Sequence, residues 1–293
     1  MRFTKMQGLG NDFLMVRGQV PDDAASRCAA LCDRHFGVGA DGVIYISPSD
    51  LADCRMRIFN ADGSEAKMCG NGIRCVGKYL YDNGLIRRER ITVETLSGVK
   101  ELTLRIEDDR VKSVTVDMGR AVLLSPALSL PAGLGIGMEI SVGNPHAVSF
   151  VELAESIPLS LWGPAVEKSV PGGINAEFVQ VLSSTRLRMR VWERGCGVTL
   201  ACGTGACASA FAAVKRGFCS PGRPIEVQLD GGSLFITVDA ADNIWMEGPA
   251  VTVYEGESWE KLCFSHTQFV PLPRTGAAIL QAKPAKTAKK DVD

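Results

Sequence analysis

Polar and apolar residues alternate with a period of two along two long tracts of the chain. One is ITVETLSGVKELTLRIEDDRVKSVTVDM, from Ile91; the other is IEVQLDGGSLFITVDAADNIWMEG, from Ile225. Turn residues (Ser-Gly, Asp-Asp, Asp-Gly-Gly, Asp-Asn) break each tract, so both predict antiparallel hairpins. Two shorter alternating runs, RMRIF at 55–59 and RMRVW at 188–192, lead into glycine-rich loops that each hold a cysteine. Small and apolar residues at helical spacing follow, as IRCVGKYLYDN in one place and ACASAFAAVKR in the other. Both helical stretches run into a glycine, Gly84 and Gly217, which is a common C-terminal stop.

These elements recur at one shift. Cys69 to Cys202 is 133 positions, and the same offset carries Arg55–Phe59 onto Arg188–Trp192, Gly10-Asn11 onto Gly143-Asn144, and Gly84 onto Gly217. Only the glycines of the later hairpins, Gly98 and Gly232, slip by one more. A shared shift across separate features indicates duplication. We therefore expect an α+β fold of two pseudosymmetric domains, 1–123 with Cys69 and 124–260 with Cys202. Each is a curled, mostly antiparallel sheet around a central helix, with the site in the cleft between them. From about Ala277 the chain turns to Ala/Lys/Pro low complexity, and 277–293 is expected to be a disordered tail.

Composition narrows the function. The 293 residues are 46% hydrophobic and 22% charged with a formal net charge of −1, which suits a well-filled core and argues against a nucleic-acid partner. The start lacks a signal-peptide pattern and no apolar run is long enough to span a membrane, so a cytoplasmic location is expected. Ten cysteines with no C-x-x-C and only three histidines (His35, His146, His266) predict free thiols rather than disulfides or a metal site. Cys28 and Cys32, one helical turn apart, read as core residues, as do Cys75 and Cys207.

Cys69 and Cys202 differ from those because each stands between a loop and the first turn of a helix. Unbonded N–H groups and the positive end of the helix dipole gather there, which favours thiolate and is expected to lower the thiol pKa. The glycines beside them let backbone N–H groups approach an anion. Across a twofold axis, one cysteine would flank each side of a shared cleft. A carbon held between them could lose a proton to one face and gain one from the other. The carbanion formed would need N–H donors preorganised around an adjoining carboxylate.

Four motifs, GNDF (10–13), FNADGSEAKMCGNG (59–72), GNPH (143–146) and WERGCGVTLACGTG (192–205), resemble diaminopimelate epimerase. The resemblance runs from Met1 to about Tyr254. It implies interconversion of LL- and meso-2,6-diaminoheptanedioate without pyridoxal phosphate or another cofactor, with Cys69 and Cys202 as acid and base and no metal. It implies that His146 and Glu193 assist near the thiols, and that Asn11, Asn60, Asn144 and Asn175 contact substrate. Glu193 and Arg194 match the pair that takes the distal amino and carboxylate groups. Gly70-Asn71 and Gly203-Thr204 match the loop residues whose N–H groups hold the α-carboxylate. A homodimer is implied, and a last strand near 250–265 that returns to the first domain. Two positions depart from the pattern: Gly42 replaces a glutamine that some members carry, and Val198 replaces a usual glutamate. Cys196 is an extra thiol near Cys202 in sequence.

Two other readings compete. A racemase of the same fold could act on another amino acid such as histidine, although Arg194 would then lack a distal carboxylate to bind. A thiol redox or metal-binding protein could pair Cys69 with Cys75 and Cys202 with Cys207. Spacings of six and five residues at helix starts suit a tetrahedral metal poorly.

Overall fold

The computed structural model describes residues 1–131 and 133–258, so the expected tail at 277–293 lies outside the described residues. The first half runs β1 (Arg2–Gly8), β2 (Asn11–Arg17), α1 (Ala24–Cys32), β3 (Gly42–Ser47), β4 (Cys54–Asn60), β5 (Glu65–Ala66), α2 (Gly70–Asp82), β6 (Arg90–Thr95), β7 (Gly98–Glu107) and β8 (Arg110–Arg120). The first half closes with β9 (Val122–Ser129), and the second follows as β10 (Ile136–Ser141), β11 (Pro145–Phe150), α3 (Leu159–Glu167), β12 (Asn175–Ser183), β13 (Arg186–Glu193) and β14 (Gly197–Val198). It ends with α4 (Gly203–Lys215), β15 (Ile225–Leu229), β16 (Gly232–Val238), β17 (Asn243–Gly248) and β18 (Val251–Glu257). Helices α2 and α4 have equal lengths and bounds exactly one repeat shift apart. The duplicated α+β architecture is present as expected.

Ladders repeat as well. β2 pairs parallel with β3, and β11 with β12; β4 pairs parallel with β6, and β13 with β15. The remaining neighbours are antiparallel, including β8 with β17, which joins the halves. Beyond that seam the halves exchange strands. β9 leaves the first half to pair with β10, and β18 leaves the second to pair with β1. The division at 123/124 thus falls inside β9.

Both central helices share one core with strands from either half, whereas α1 and α3 cover separate apolar clusters on the outer faces. Small residues let the central helices sit deep. A Cβ on Gly77 would meet Leu104 at 3.2 Å, and Ala206, Ala208, Ala210, Ala212 and Ala213 of α4 are buried. Both helices end as the glycines indicated: Gly84 and Gly217 adopt positive φ, and Gly84 N–H donates to the Tyr81 carbonyl at 2.9 Å. At their other ends α2 and α4 meet. A Cβ on Gly203 would lie 3.9 Å from Gly70 Cα, and Met246 from β17 fills the space against both glycines.

Met246 is fully buried at that junction. Met246→Ala should lower the unfolding free energy by about 2–5 kcal/mol, through lost apolar contact and the cavity left between the helix starts. Urea denaturation followed by circular dichroism checks this, and an unchanged midpoint would contradict the packing.

Candidate active site

Each candidate thiol is the N-cap of its helix. Cys69 has extended backbone (φ −138°, ψ 121°), and its Sγ accepts from Gly72 N–H at 3.5 Å. Cys202 repeats this (φ −117°, ψ 110°), with Gly205 N–H donating to its Sγ at 3.4 Å. The first intrahelical bonds are Ile73 N–H to Cys69 O and Ala206 N–H to Cys202 O, both 2.9 Å. The N–H groups of Gly70, Asn71, Gly203 and Thr204 precede them, as the ends of two helices require. Asn71 crosses between the halves: its Nδ2 donates to the Ala201 carbonyl at 3.3 Å, beside Cys202. The two thiol-bearing turns are therefore neighbours.

The other candidates fall into connected sets. Asn11 Oδ1 accepts from Cys69 Sγ (3.6 Å) and Asn71 Nδ2 (3.2 Å), while Asn11 Nδ2 donates to Asp41 (2.8 Å). Thr204 Oγ1 is 3.6 Å from Cys202 Sγ. Asn175, in register with His146 on the parallel ladder, donates to the Pro145 carbonyl and accepts from Arg194 N–H. The exposed Arg194 guanidinium meets the Gly172 and Gly173 carbonyls at 3.1 and 3.3 Å. Glu193 accepts from Thr199 Oγ1 at 2.5 Å. Asn60 is exposed and its amide holds Ser64 in the β4–β5 turn. At Gly42 a Cβ would lie 2.7 Å from the Phe59 carbonyl, so this backbone leaves no room for a side chain without a shift.

His146 is fully buried and both ring nitrogens are engaged: Nδ1 with Glu177 Oε1 at 2.6 Å and Nε2 with Asn144 Oδ1 at 3.0 Å. Glu177 is also fully buried, and its Oε2 has no hydrogen-bond partner. It lies under the first turn of α4, where a Cβ on Gly205 would come within 2.7 Å of its Oε1. One repeat shift earlier, the seat under Gly72 is filled by Ile44, and Phe13 stands where His146 does. The second thiol thus has a buried acid–imidazole pair beneath it, and the first has an apolar pair.

The expected lowering of the thiol pKa values is corrected by this environment. Burial pushes Cys69 up, and the N–H groups of Gly72 and Asn71 oppose that only in part. Cys202 is pushed well above the ordinary thiol value, first by burial and then by the charges of Glu193 and Glu177. A helix terminus supplies a fraction of a charge, whereas removing a thiolate from water and facing it with carboxylates opposes ionisation more strongly. Cys75 and Cys207 are buried in the core and pushed to about 12, so they are inert thiols as expected.

Sequence reasoning passed over Glu177, Asp41 and Arg74. Arg74 is fully buried on α2 and holds the Gly70 carbonyl, the Pro249 carbonyl and Asn71 Oδ1 at 3.0–3.2 Å. The available signal was the repeat itself. At the matched positions these three residues face Ile44, Ile174 and Cys207, a polar group in one copy against an apolar or thiol group in the other.

The family model for diaminopimelate epimerase matches residues 3–124 and 138–253. Curated proteins named diaminopimelate epimerase include one from Methanococcus maripaludis, 47% identical over 277 residues, covering 88% of this chain and 99% of that one. Another, from Bacillus pumilus, is 43% identical over 276 residues, covering 87% and 97%. Among solved structures, a PhzF-family phenazine biosynthesis protein of Bacillus anthracis aligns with TM-score 0.69 at 16% identity, covering 88% of this chain and 98% of its own. A probable proline racemase from Agrobacterium radiobacter aligns at 0.65 and 16%, covering 88% and 92%. At such identities these two show a shared fold.

The unequal surroundings of the thiols give a directional expectation. A raised pKa leaves less thiolate at a given pH, so in ligand-free protein Cys69 should be alkylated by iodoacetamide faster than Cys202. Glu177→Gln removes a carboxylate that opposes Cys202 ionisation and should speed Cys202 labelling by up to about tenfold at pH 8, one pKa unit. Peptide mass mapping across pH 7–10 reads both thiols separately, and a Cys202 profile indifferent to Glu177 would contradict the assignment.

Proposed function

Because the chain belongs to the diaminopimelate epimerase family, we propose that it inverts one α-carbon of 2,6-diaminoheptanedioate by two-base proton transfer between Cys69 and Cys202, with no cofactor. The protein is an isomerase that interconverts the LL- and meso-forms. This is a step of lysine and peptidoglycan precursor synthesis. The observation that carries the mechanism is the pair of cysteine N-caps on matched helices whose first turns touch.

One sulfur, as thiolate, takes the Cα hydrogen; the other, as thiol, returns a proton to the opposite face. The α-C–H is a very weak acid, so the carbanion needs stabilising while it exists. The N–H groups of Gly70, Asn71, Gly203 and Thr204, at the starts of two helices, would hold the α-carboxylate as it gathers charge. Arg194 would form a forked contact with the distal carboxylate, and Glu193 would take the distal ammonium, alongside Asn60, Asn144 and Asn175. That division explains how raised thiol pKa values suit the reaction. Glu193 opposes ionisation of both sulfurs in the empty site. An ammonium bound to Glu193 cancels part of that field, so the thiolate forms when substrate is present. His146, enclosed behind Asn144, acts by holding that amide.

Each repeat, 1–123 and 124–260, contributes one sulfur. A cytoplasmic setting fits the nine described cysteines, all of them free. A homodimer would cover Val251, Val253 and Tyr254, which β18 exposes. No helix among the described residues is long and apolar enough to cross a membrane.

Incubating reduced protein with LL-diaminopimelate in deuterium oxide, without added cofactor, should give meso product carrying α-deuterium. Lack of both would reject the reading. Cys69→Ser and Cys202→Ser should each lower full epimerisation by about 10²–10⁴-fold, since inversion needs a group on both faces. Near-normal turnover by either variant would contradict the two-base assignment.

A further inference from the structure

Four side chains near Cys69 form a hydrogen-bonded series whose direction is chemically determined at both ends. At one end Arg74, a guanidinium that can only donate, gives Nη2–H to Asn71 Oδ1 at 3.0 Å. Asn71 must then turn its Nδ2 outward, and that nitrogen donates to Asn11 Oδ1 at 3.2 Å. At the other end Asp41 accepts from Asn11 Nδ2 at 2.8 Å. A carboxylate offers only lone pairs, so the amide of Asn11 cannot be reversed without facing its oxygen to Asp41 Oδ2. Its oxygen therefore points at Cys69, whose Sγ is 3.6 Å away.

We propose that Asp41 is a positioning residue for Cys69: by holding the Asn11 amide, it keeps an acceptor oxygen on the thiol and so retains the thiol hydrogen on that side of the site.

Asp41 is itself held firmly. Its Oδ2 also accepts from Asp12 N–H at 3.0 Å, and its Oδ1 from Arg34 Nη2 at 2.8 Å. Arg34 in turn binds Asp12. The second half lacks this device. One repeat shift on, Asp41 becomes the buried Ile174, and the Asn11 counterpart Asn144 meets the His146 ring at 3.0 Å instead of a carboxylate. The restraint on Cys69 is read from contacts around Asn11 alone and does not rest on the function proposed above.

The test uses the full, reduced chain without ligand and reads iodoacetamide labelling of Cys69 and Cys202 by peptide mass. The charged and titratable groups facing Cys69 are Arg74 and Cys75 from α2 and Glu193 from β13, and none is altered. Asp41→Ala leaves the Asn11 amide held by Asn71 Nδ2 alone, so its oxygen no longer stays fixed on sulfur and the bond that retains the thiol hydrogen weakens, which favours thiolate. Cys69 labelling should rise about fivefold at pH 8, the worth of one hydrogen bond, with Cys202 unchanged. Asp41→Asn keeps one oxygen for both Asn11 Nδ2 and Asp12 N–H and should stay close to wild type. In an Asn11→Ala background, Asp41→Ala should add nothing, because its effect passes through Asn11. Should Asp41→Ala not fold, Asp41→Val removes the same acceptor while keeping bulk. Unchanged Cys69 labelling overturns the proposal, as does Asp41→Asn matching Asp41→Ala, or an equal effect without Asn11. Wild-type protein that lacks epimerase activity counts against the proposed function alone, since the labelling arms decide this inference by themselves.

Discussion

Two helices begin with cysteine and touch at their first turns, and the rest of the molecule is arranged to keep them so. Gly70 and Gly203 leave the space that Met246 fills, since a Cβ at either would come within 2.8 and 3.0 Å of its side chain. Buried alanines in α4 and Gly77 in α2 bring each axis down onto its sheet. The β8–β17 seam and the exchanged strands β9 and β18 tie the halves into one core, so the helix starts keep their mutual position. Asn71, donating from one turn to the Ala201 carbonyl of the other, fastens the junction where the sulfurs emerge.

That closeness carries an electrostatic cost which is also useful. A thiol at a helix start gains from N–H donors, but here each sulfur is withdrawn from water and faces Glu193. Both thiols are thereby held toward the protonated form, and under the proposed mechanism an ammonium on Glu193 would offset that. The repeats then differ where they need to: Glu177 and His146 beneath Cys202, Ile44 and Phe13 in the corresponding seats of the first half. Duplication provides two similar arms, and a few substitutions between them give the two sulfurs unequal surroundings.

Much of this was legible in the chain because local pattern and repeat agreed. Alternation located the strands, glycine located the helix ends, and the 133-residue shift singled out Cys69 and Cys202 among ten cysteines. Gly42 already implied a missing contact, and its Cβ position proves to be occupied by the Phe59 carbonyl. What escaped depends on contacts between segments far apart in sequence. Glu177 in NAEFVQV reads as an ordinary alternating residue until α4 is laid over it. Arg74 reads as a helix surface cation until Pro249 and Met246 close around it. The thiol pKa direction was misjudged for the same reason, since the helix terminus is a local feature whereas burial and Glu193 come from the folded whole.

Inversion between two sulfurs is a geometric requirement, and a crystal structure of the protein closed on an unreactive diaminopimelate analogue measures it. The sulfurs of Cys69 and Cys202 should lie on opposite faces of the same α-carbon, each within contact distance of it. Sulfurs on one face, or one of them turned away from that carbon, would contradict the two-base mechanism.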